Sequence, residues 1–199
     1  MKKLALPGVL VLVILATTFC SSQPQEQGLK DALEGKFYMG AALNARIYLG
    51  EDLSSLEVLQ KHYNSVVAEN VMKMGPIHPA DGEFNFSLAD RFIEFAQENE
   101  MYTVGHCLVW HSQAPDWFFT DAEGQEVSRE VLIDRMKEHI LTVAGRYKGK
   151  VDAWDVVNEA FEDDGSWRET PFYTIIGEDY LELAFKFAHE ADPDADLLY

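Results

Sequence analysis

Cysteine is scarce in this chain, which has only Cys20 and Cys107 among its 199 residues. Two cysteines are too few for a disulfide framework or for a cysteine-based metal site. Cys20 lies in an apolar leader and Cys107 in a later apolar segment, so their positions argue against a bond between them. A free cysteine inside an apolar strand usually behaves as a small hydrophobic residue, and we expect this of Cys107.

Basic residues are also few. The 16 lysines and arginines stand against 34 aspartates and glutamates, which gives a formal net charge of -18. A surface of this charge repels nucleic acid and anionic lipid, so we expect no nucleic-acid partner. Neutral polymers remain candidate partners. With 47% hydrophobic and 12% aromatic residues the chain can bury a sizeable core, which excludes the disordered class.

No grouping typical of a metal site occurs in the sequence. The two histidines that lie nearest each other, His106 and His111, do not match the helical HExxH zinc pattern, and no carboxylate cluster adjoins them. For either histidine alone, a structural role with a bond to the main chain is the default interpretation. We therefore expect neither a metal nor a cofactor.

Residues 1–20 have the layout of a secretory signal peptide, with a basic start followed by an apolar run over residues 9–16. That run is too short to span a bilayer. Cys20, followed by two serines, indicates a bacterial lipoprotein processing site, although Phe19 stands where a small residue is usual. The sequence therefore predicts an exported protein.

Two outcomes stay open for this leader. Lipidation of Cys20 would give a cell-envelope lipoprotein whose only membrane contact is the lipid anchor, whereas ordinary cleavage would give a secreted protein. Residues 21–30 are polar and contain a proline, so we interpret them as a short tether. Residues 31–199 are then the folded domain.

Apolar β-branched runs alternate with amphipathic helical segments along this domain. The predicted strands are residues 36–43, 65–68, 102–109 and 151–157, with the start of a fifth at 196–199. The predicted helices are residues 53–63, 87–96, 128–147 and 180–191, with Ser87 and Ser128 as amino-terminal caps. Alternation of this kind predicts an α/β fold with a parallel sheet.

Polar pairs follow two of the predicted strands. The run ending at Val157 is followed by Asn158 and Glu159, and the run ending at Ala68 by Glu69 and Asn70. In parallel α/β barrels the carboxyl ends of the strands form one mouth, where catalytic groups are found. A carboxyl group partly desolvated there can act as a general acid, and amides beside it suit a polyol ligand. The alternative is that each pair merely opens a loop.

Three segments carry a resemblance to glycoside hydrolase family 10, the retaining endo-1,4-beta-xylanases. They are WDVVNEAFEDDG over residues 154–165, AENVMK over residues 68–73 and GHCLVWHSQ over residues 105–113. The last has Cys107 where threonine is common, and the second has Val71 where many members carry an acidic residue. The segments occur in the order of the family, and the resemblance runs from about residue 40 to residue 199.

The resemblance implies a role for each matching residue. It makes Glu159 the general acid/base, with Asn158 beside it on the 2-hydroxyl of the sugar. Residues implied on the sugar are Glu69, Asn70, Lys73, His106, Trp110 and Gln113, and His111 is implied as a support for the acid/base region. Without the resemblance, Lys73 would be interpreted as a solvated surface lysine. Two interpretations stay open for each of the four tryptophans: its ring stacks on a sugar, or it packs inside the protein. The four are Trp110, Trp117, Trp154 and Trp167.

The resemblance also implies a TIM (β/α)8 barrel, of which this chain supplies about the first four βα units and the start of strand five. A complete barrel takes about 250 residues. The nucleophile of the family is a glutamate after the seventh strand, so we expect it to be missing from this chain and the C-terminal half of the barrel to be a partner.

Three hypotheses about function follow. The first is an endo-1,4-beta-xylanase acting on xylan or xylo-oligosaccharides, with this chain inactive by itself. The second is a related barrel hydrolase acting on another β-glycan. The third is a non-catalytic xylan-binding fragment, because sugar-binding residues can hold a glycan without a nucleophile. Half of a barrel also exposes strand edges, so unstable folding is a further outcome.

Overall fold

The structure is a computed structural model and describes residues 27–199. The predicted signal peptide, the lipid attachment at Cys20 and the first part of the predicted tether lie outside the described residues. In the part of the chain that the structure describes, no helix has the length and apolar character needed to cross a bilayer.

Five parallel strands form the centre of the described domain. They are β1 (Gly40–Leu43), β2 (Ser65–Ala68), β3 (Tyr102–Val109), β4 (Ala153–Val157) and β5 (Asp196–Leu198). They lie side by side in the order β1-β2-β3-β4-β5, every neighbouring pair being parallel. Strands that follow one another in space as in sequence, each joined by a crossover, are the arrangement of an α/β barrel. The predicted fold class is therefore confirmed, as part of a barrel.

One short helix precedes β1, and the other helices lie in the crossovers between the strands. They are α1 (Leu29–Ala32), α2 (Ala45–Tyr48), α3 (Leu53–His62), α4 (Met74–Ile77), α5 (Ser87–Glu98), α6 (Arg129–Arg146), α7 (Pro171–Ile176) and α8 (Asp179–Ala191). The prediction that Ser128 caps α6 is confirmed, since its Oγ accepts from the Val131 amide at 3.4 Å. The same prediction for Ser87 is wrong. Phe86 occupies the cap position, and the Asn85 side chain accepts from the Ser87 amide instead.

The predicted first strand also begins later than expected. Residues 36–39 precede β1, which starts at Gly40. The Phe37 and Tyr38 side chains are exposed, so alternation of apolar residues there does not reflect burial. The Met39 carbonyl accepts from the Asn64 and Ser65 amides, which aligns the start of β1 with the start of β2.

The core lies between the sheet and its helices. Fully buried side chains on α5, α6 and α8 face the strands, including Phe92, Met136 and Ala184. Trp154 on β4 is completely buried and lies against Gly105, where a Cβ atom would come within 2.3 Å of the indole ring. Glycine at position 105 is therefore required by the close packing of β3 on Trp154. This contact holds together the two strands whose ends carry most of the predicted site.

Candidate active site

The predicted acid/base residue follows the carboxyl end of β4. The Trp110 indole donates its Nε1–H to Oε2 of Glu159 at 3.0 Å, and His111 Nε2 lies 3.9 Å from the same oxygen. Trp110 and His111 follow the end of β3, the neighbouring strand. One carboxylate oxygen of Glu159 therefore accepts a hydrogen bond from the Trp110 indole, and the His111 ring lies nearby in the same loop. The Glu159 side chain is 47% exposed, so it remains open to a ligand.

The main chain at this point is held in an uncommon conformation. Glu159 has a φ of 55°, in the left-handed region that non-glycine residues rarely occupy. The preceding residue, Asn158, is tied to β3 because its amide donates to the Val109 carbonyl at 2.9 Å. After Glu159 the chain turns into a hairpin, in which Phe161 pairs with Trp167. Backbone strain of this kind concentrates at functional positions, where the surrounding structure maintains it.

Lys73 belongs to the same cluster. Its Nζ lies 3.0 Å from Oδ1 of Asn70 and 4.8 Å from the centre of the Trp110 ring. The residue is buried, with only 8% of its surface exposed, so the interpretation as a solvated surface lysine is wrong. An ammonium group over an indole face is attracted to the electron-rich ring. Trp110 therefore connects the residues after β2 to Glu159 after β4.

His106 has a partner that sequence reasoning did not assign. Its Nδ1 lies 2.8 Å from Oδ2 of Asp155, and the two residues are paired across β3 and β4. An ionised carboxylate can only accept, so Nδ1 carries the proton and Nε2 is left as an acceptor in the neutral ring. The signal for Asp155 was present in the sequence as an acidic residue inside an apolar strand. Its role was missed because the partner is far away along the chain.

The His111 ring is kept neutral by its surroundings. Desolvation is the main cause that lowers the pKa of His111, and the nearby Arg168 guanidinium lowers it further. Glu159 and Glu162 raise the pKa of His111, but by less than desolvation and Arg168 lower it. Arg168 is the second functional candidate that sequence reasoning missed, and no motif pointed to it.

The structure fixes the main chain of the remaining predicted residues. The Glu69 amide donates to the Leu43 carbonyl at 2.9 Å, which places Glu69 directly beyond the ends of β1 and β2. The Gln113 carbonyl accepts from the Gly75 amide at 2.8 Å, and a Cβ on Gly75 would lie 2.8 Å from that oxygen. Gln113, like Glu159, has a positive φ, of 64°. The loops after β2 and β3 are therefore in direct contact.

The structure separates the four tryptophans into two groups. Trp110 contacts the candidate site, whereas Trp154 is buried in the core. Trp117 donates its Nε1–H to the His78 carbonyl at 3.2 Å, and Trp167 packs against Phe161. Packing is thus the observed arrangement for three of them.

The arrangement at the mouth of the sheet suits proton transfer to a neutral, hydroxyl-rich ligand. It offers one carboxyl group that accepts from an indole N–H, a largely buried imidazole paired with a carboxylate, and a lysine beside an amide. Within residues 27–199, no group of three or more His, Cys, Asp or Glu side chains has the geometry of a metal site. The fold and this cluster define part of a parallel α/β barrel with a polar site at the carboxyl ends of its strands.

Comparison with known proteins gives the family. The sequence profile described as glycosyl hydrolase family 10 matches residues 28–199. An endo-1,4-beta-xylanase A of Xylanibacter ruminicola is 50% identical over 192 residues, covering 96% of this chain and 51% of that protein. An endo-1,4-beta-xylanase A of Thermotoga maritima is 47% identical over 186 residues, covering 89% of this chain and 17% of that protein.

Solved structures agree with this assignment. A GH10 endoxylanase retrieved from a sugarcane soil metagenome superposes with a TM-score of 0.83 at 46% identity, covering 86% of this chain and 50% of that one. A GH10 structure from Paenibacillus barcinonensis gives a TM-score of 0.82 at 44% identity, covering 87% and 53% respectively. The chain belongs to glycosyl hydrolase family 10. It spans about half of the Xylanibacter ruminicola protein and of these two structures, and a smaller share of the Thermotoga maritima protein.

Proposed function

We propose that the chain is part of an endo-1,4-beta-xylanase that hydrolyses internal β-1,4-xylosidic bonds in xylan, with Glu159 as general acid/base. The observation that carries the proposal is the position of the Glu159 carboxyl group after β4, held by Trp110 Nε1 at 3.0 Å. The relatives from Xylanibacter ruminicola and Thermotoga maritima, both named endo-1,4-beta-xylanase A, support the substrate class.

The chemistry proposed for Glu159 is that of a retaining glycosidase. Its carboxyl group donates a proton to the leaving glycosidic oxygen as the bond from that oxygen to the anomeric carbon breaks. A second carboxylate, about 5 Å away, attacks the same carbon and forms a glycosyl-enzyme. Glu159, now ionised, then removes a proton from the water that hydrolyses this intermediate. We propose that the second carboxylate comes from a strand beyond the five in the described part of the chain.

The remaining site residues bind the sugar in this proposal. Asn158 holds the 2-hydroxyl at the cleavage point, where its hydrogen bond strengthens as the oxocarbenium-like transition state forms. Lys73 and Asn70 are already paired at 3.0 Å, so both are oriented towards one part of the glycone before the ligand arrives. Glu69 and Gln113 contribute further polar groups, and the Trp110 ring offers an apolar face. An uncharged glycan avoids the repulsion that the net charge of -18 would exert on an anionic polymer.

We also propose that the protein is exported, through the leader at residues 1–20, and that Cys20 carries a lipid anchor. The apolar run and the cysteine followed by serines support this proposal. Mass spectrometry of the protein purified from its natural cells tests it. A mature amino terminus at Cys20 with a diacylglycerol mass is expected, whereas an unmodified amino terminus elsewhere would contradict lipidation.

Hydrolysis and binding assays on three polysaccharides test the proposed activity. The natural protein is incubated with xylan, cellulose and mannan, and the released reducing ends and products are measured. Internal cleavage of xylan, with little release from the other two, is expected. The chain of residues 27–199 is assayed in parallel for release and for retention on insoluble xylan. Retention by the natural protein without release of reducing ends would favour the non-catalytic binding hypothesis, and preference for cellulose or mannan would favour another β-glycan.

A further inference from the structure

Two histidines from distant segments of the chain meet inside the described domain. His78 is the carboxyl-terminal cap residue of the short helix α4, and His139 lies in the second half of α6. Both residues are fully buried, and their Nδ1 atoms are 3.2 Å apart. Neither residue belongs to the predicted site, so the pair has no role in the function proposed above.

The histidine pair lies among aromatic side chains. The His78 ring stacks on Phe84 with ring centres 3.8 Å apart, and the Trp117 and Phe118 rings lie 4.6 Å and 5.4 Å from it. Phe118 also contacts the His139 ring, at 5.6 Å. Burial of two imidazoles in such surroundings costs free energy that a pair of apolar side chains would avoid. A hydrogen bond between the rings offsets part of this cost and, unlike an apolar contact, it fixes their direction.

The hydrogen bond needs one donor and one acceptor. Burial lowers the pKa of both imidazoles, so both rings are neutral near neutral pH. A neutral ring carries one proton, and therefore one Nδ1 donates and the other accepts. Nε2 of His78 is buried without a hydrogen-bond partner among the described residues. The orientation of the His78 ring therefore depends on its Nδ1 contact with His139.

The main chain of His78 joins two loops at the mouth of the sheet. Its amide donates to the Met74 carbonyl at 2.7 Å and closes α4. Its carbonyl accepts from the Trp117 indole at 3.2 Å, which connects the loop after β2 to the loop after β3. Arg135 of α6 donates to the Trp117 carbonyl. The helix that carries His139 is therefore bonded to both loops.

Lys73 occupies the opposite end of α4. It is the amino-terminal cap residue of this helix, and its carbonyl accepts from the Ile77 amide at 3.2 Å. Because α4 is four residues long, about one turn, the positions of its two end residues are coupled. The Lys73 Nζ lies 3.0 Å from Asn70 and 4.8 Å from the centre of the Trp110 ring. One turn of helix therefore connects the buried histidine pair to the ammonium group in the candidate site.

We propose that His139 is a positioning residue for Lys73, because its hydrogen bond to His78 fixes the carboxyl end of α4 and thereby the ammonium group at the other end. His139 itself does not contact the sugar in this proposal. The consequence for sugar binding rests on the proposed function, whereas the connection between His139 and α4 does not.

Nitrogen-15 NMR of the imidazoles tests the hydrogen bond in the wild-type natural protein, without any substrate. One of the two rings, His78 or His139, is expected to carry its proton on Nδ1. A spectrum with the proton on Nε2 in both rings would overturn the proposal, since the pair would then have no Nδ1 donor.

Amide hydrogen exchange in variants of His139 tests the connection to α4. Leucine fills much of the space without a hydrogen bond, whereas the amide of asparagine lies near the position of Nδ1 and replaces the bond. In His139→Leu, exchange at the Ile77 and His78 amides should become about 10-fold faster relative to the strands, because local opening of α4 becomes easier. His139→Asn should restore most of the protection. His189→Asn, an exposed control on α8, should leave exchange unchanged.

Kinetics on xylan test the consequence for the site. His139→Leu is expected to raise KM about 3-fold to 10-fold, the size of one hydrogen bond, with a smaller change in kcat. In a Lys73→Met background the same substitution should change KM by less than about two-fold, because the group that His139 positions is gone. A purely structural role of His139 would give the same increase in both backgrounds.

Each result decides one part of the inference. Exchange that speeds up equally in α4 and in the strands of folded His139→Leu would overturn the connection to α4, and so would unchanged exchange. Equal exchange in the Leu and Asn variants would overturn the role of the hydrogen bond. If His139→Leu does not fold, His139→Gln takes its place, since the amide of glutamine lies near the position of Nε2 and not of Nδ1.

The double substitution separates this inference from the proposed function. Equal increases in KM with and without Lys73 would overturn the positioning role of His139. Wild-type protein with a protonated Nδ1 and protected α4 amides but no xylan hydrolysis would sink the proposed function and leave the connection between His139 and α4 standing.

Discussion

The imidazole of His106 and the carboxylate of Asp155 face each other across β3 and β4, with Nδ1 and Oδ2 separated by 2.8 Å. The carboxylate fixes the orientation of the ring, whose centre lies 6.3 Å from that of Trp110. Both side chains are about three-quarters buried, at 22% and 30% exposed. The pair is therefore a preformed part of the site.

Substitution of Asp155 by Asn should reduce activity on xylan. The amide has nearly the same shape, but it removes the charge and can present an N–H group to His106. A hydrogen bond to a charged group is worth roughly 1.5–3 kcal/mol, so kcat/KM should fall about 10-fold to 100-fold. Asp163→Asn, at an exposed position of the following loop, is the matched control. A kcat/KM within about two-fold of the wild type would contradict a role for the carboxylate, since that change is worth only about 0.4 kcal/mol.

Substitution of Glu159 by Ala should abolish most turnover of unactivated xylan. General acid catalysis contributes at least about 100-fold, and the leaving sugar oxygen cannot depart readily without a proton. An aryl xyloside with a good leaving group needs no protonation in this step, so cleavage of its glycosidic bond should be affected much less. The values of kcat/KM on both substrates, which report the bond-breaking step, provide the measurement. Exposed Glu169→Ala serves as the control. Equal losses on the two substrates would argue against the acid role.

The same glycine-to-alanine change should have opposite effects at two positions. At Gly105 the new Cβ would lie 2.3 Å from the Trp154 ring, so Gly105→Ala should lower the free energy of unfolding by about 1–3 kcal/mol or more. At Gly145, on the exposed side of α6, nothing lies within 4 Å of the new Cβ. Gly145→Ala should raise the free energy of unfolding by about 0.5–1 kcal/mol through helix propensity. Urea denaturation measures both. If both substitutions change the free energy of unfolding in the same direction, the packing explanation is contradicted.

A buried histidine pair should make the domain sensitive to acid. His78 and His139 are fully buried with their Nδ1 atoms 3.2 Å apart, so one Nδ1 donates a hydrogen bond and the other accepts it. Burial lowers the pKa of His78 to about 4, against a smaller opposing effect of Asp81. It lowers the pKa of His139 to about 3, and His78 adds to this effect.

The sign of the pH effect follows from these shifts. The unfolded chain takes up protons on both histidines near the ordinary value of 6.5, whereas the folded chain does not until the pH is near 4 or 3. Stability is therefore full above 6.5 and is lost as the pH falls through this window. The double substitution His78→Gln, His139→Gln should reduce the loss of unfolding free energy between neutral and mildly acidic pH. His189→Gln, an exposed control on α8, should not. If the wild type, the double variant and His189→Gln lose the same free energy of unfolding between neutral and mildly acidic pH, the prediction is contradicted.

Local patterns were sufficient for most of the fold. The alternation of β-branched runs with amphipathic segments predicted the five strands and the four long helices between them, because side-chain periodicity is a property of neighbouring residues. It did not predict the short helices α1, α2, α4 and α7. The boundaries at residues 36–39 and the cap at Ser87 were predicted wrongly. In the first case apolar residues are exposed before β1 begins, and in the second the amide and the hydroxyl of Ser87 both donate to the Asn85 side chain, so that the helix already includes Ser87.

The candidate site was predicted only in part. The three motif segments predicted that Lys73, Trp110 and Glu159 belong to one site. In the structure both Lys73 and Glu159 contact the Trp110 ring. The roles of these residues in binding and catalysis stay predictions. The sequence did not point to Asp155 or Arg168, because each acts on a histidine in a distant segment, and such a pairing has no local signature.

The sequence by itself determined the parallel α/β class, the family and the identity of the polar residues at the strand ends. These depend on residue type, spacing and order, which the chain carries along its length. The tertiary structure alone decided that Lys73 is buried, that Trp154 and not Trp110 fills the core, and that Glu159 adopts a left-handed conformation. It also decided which imidazole nitrogen meets which carboxylate. These features depend on strand register and on packing between distant segments, which are settled only when the sheet has formed.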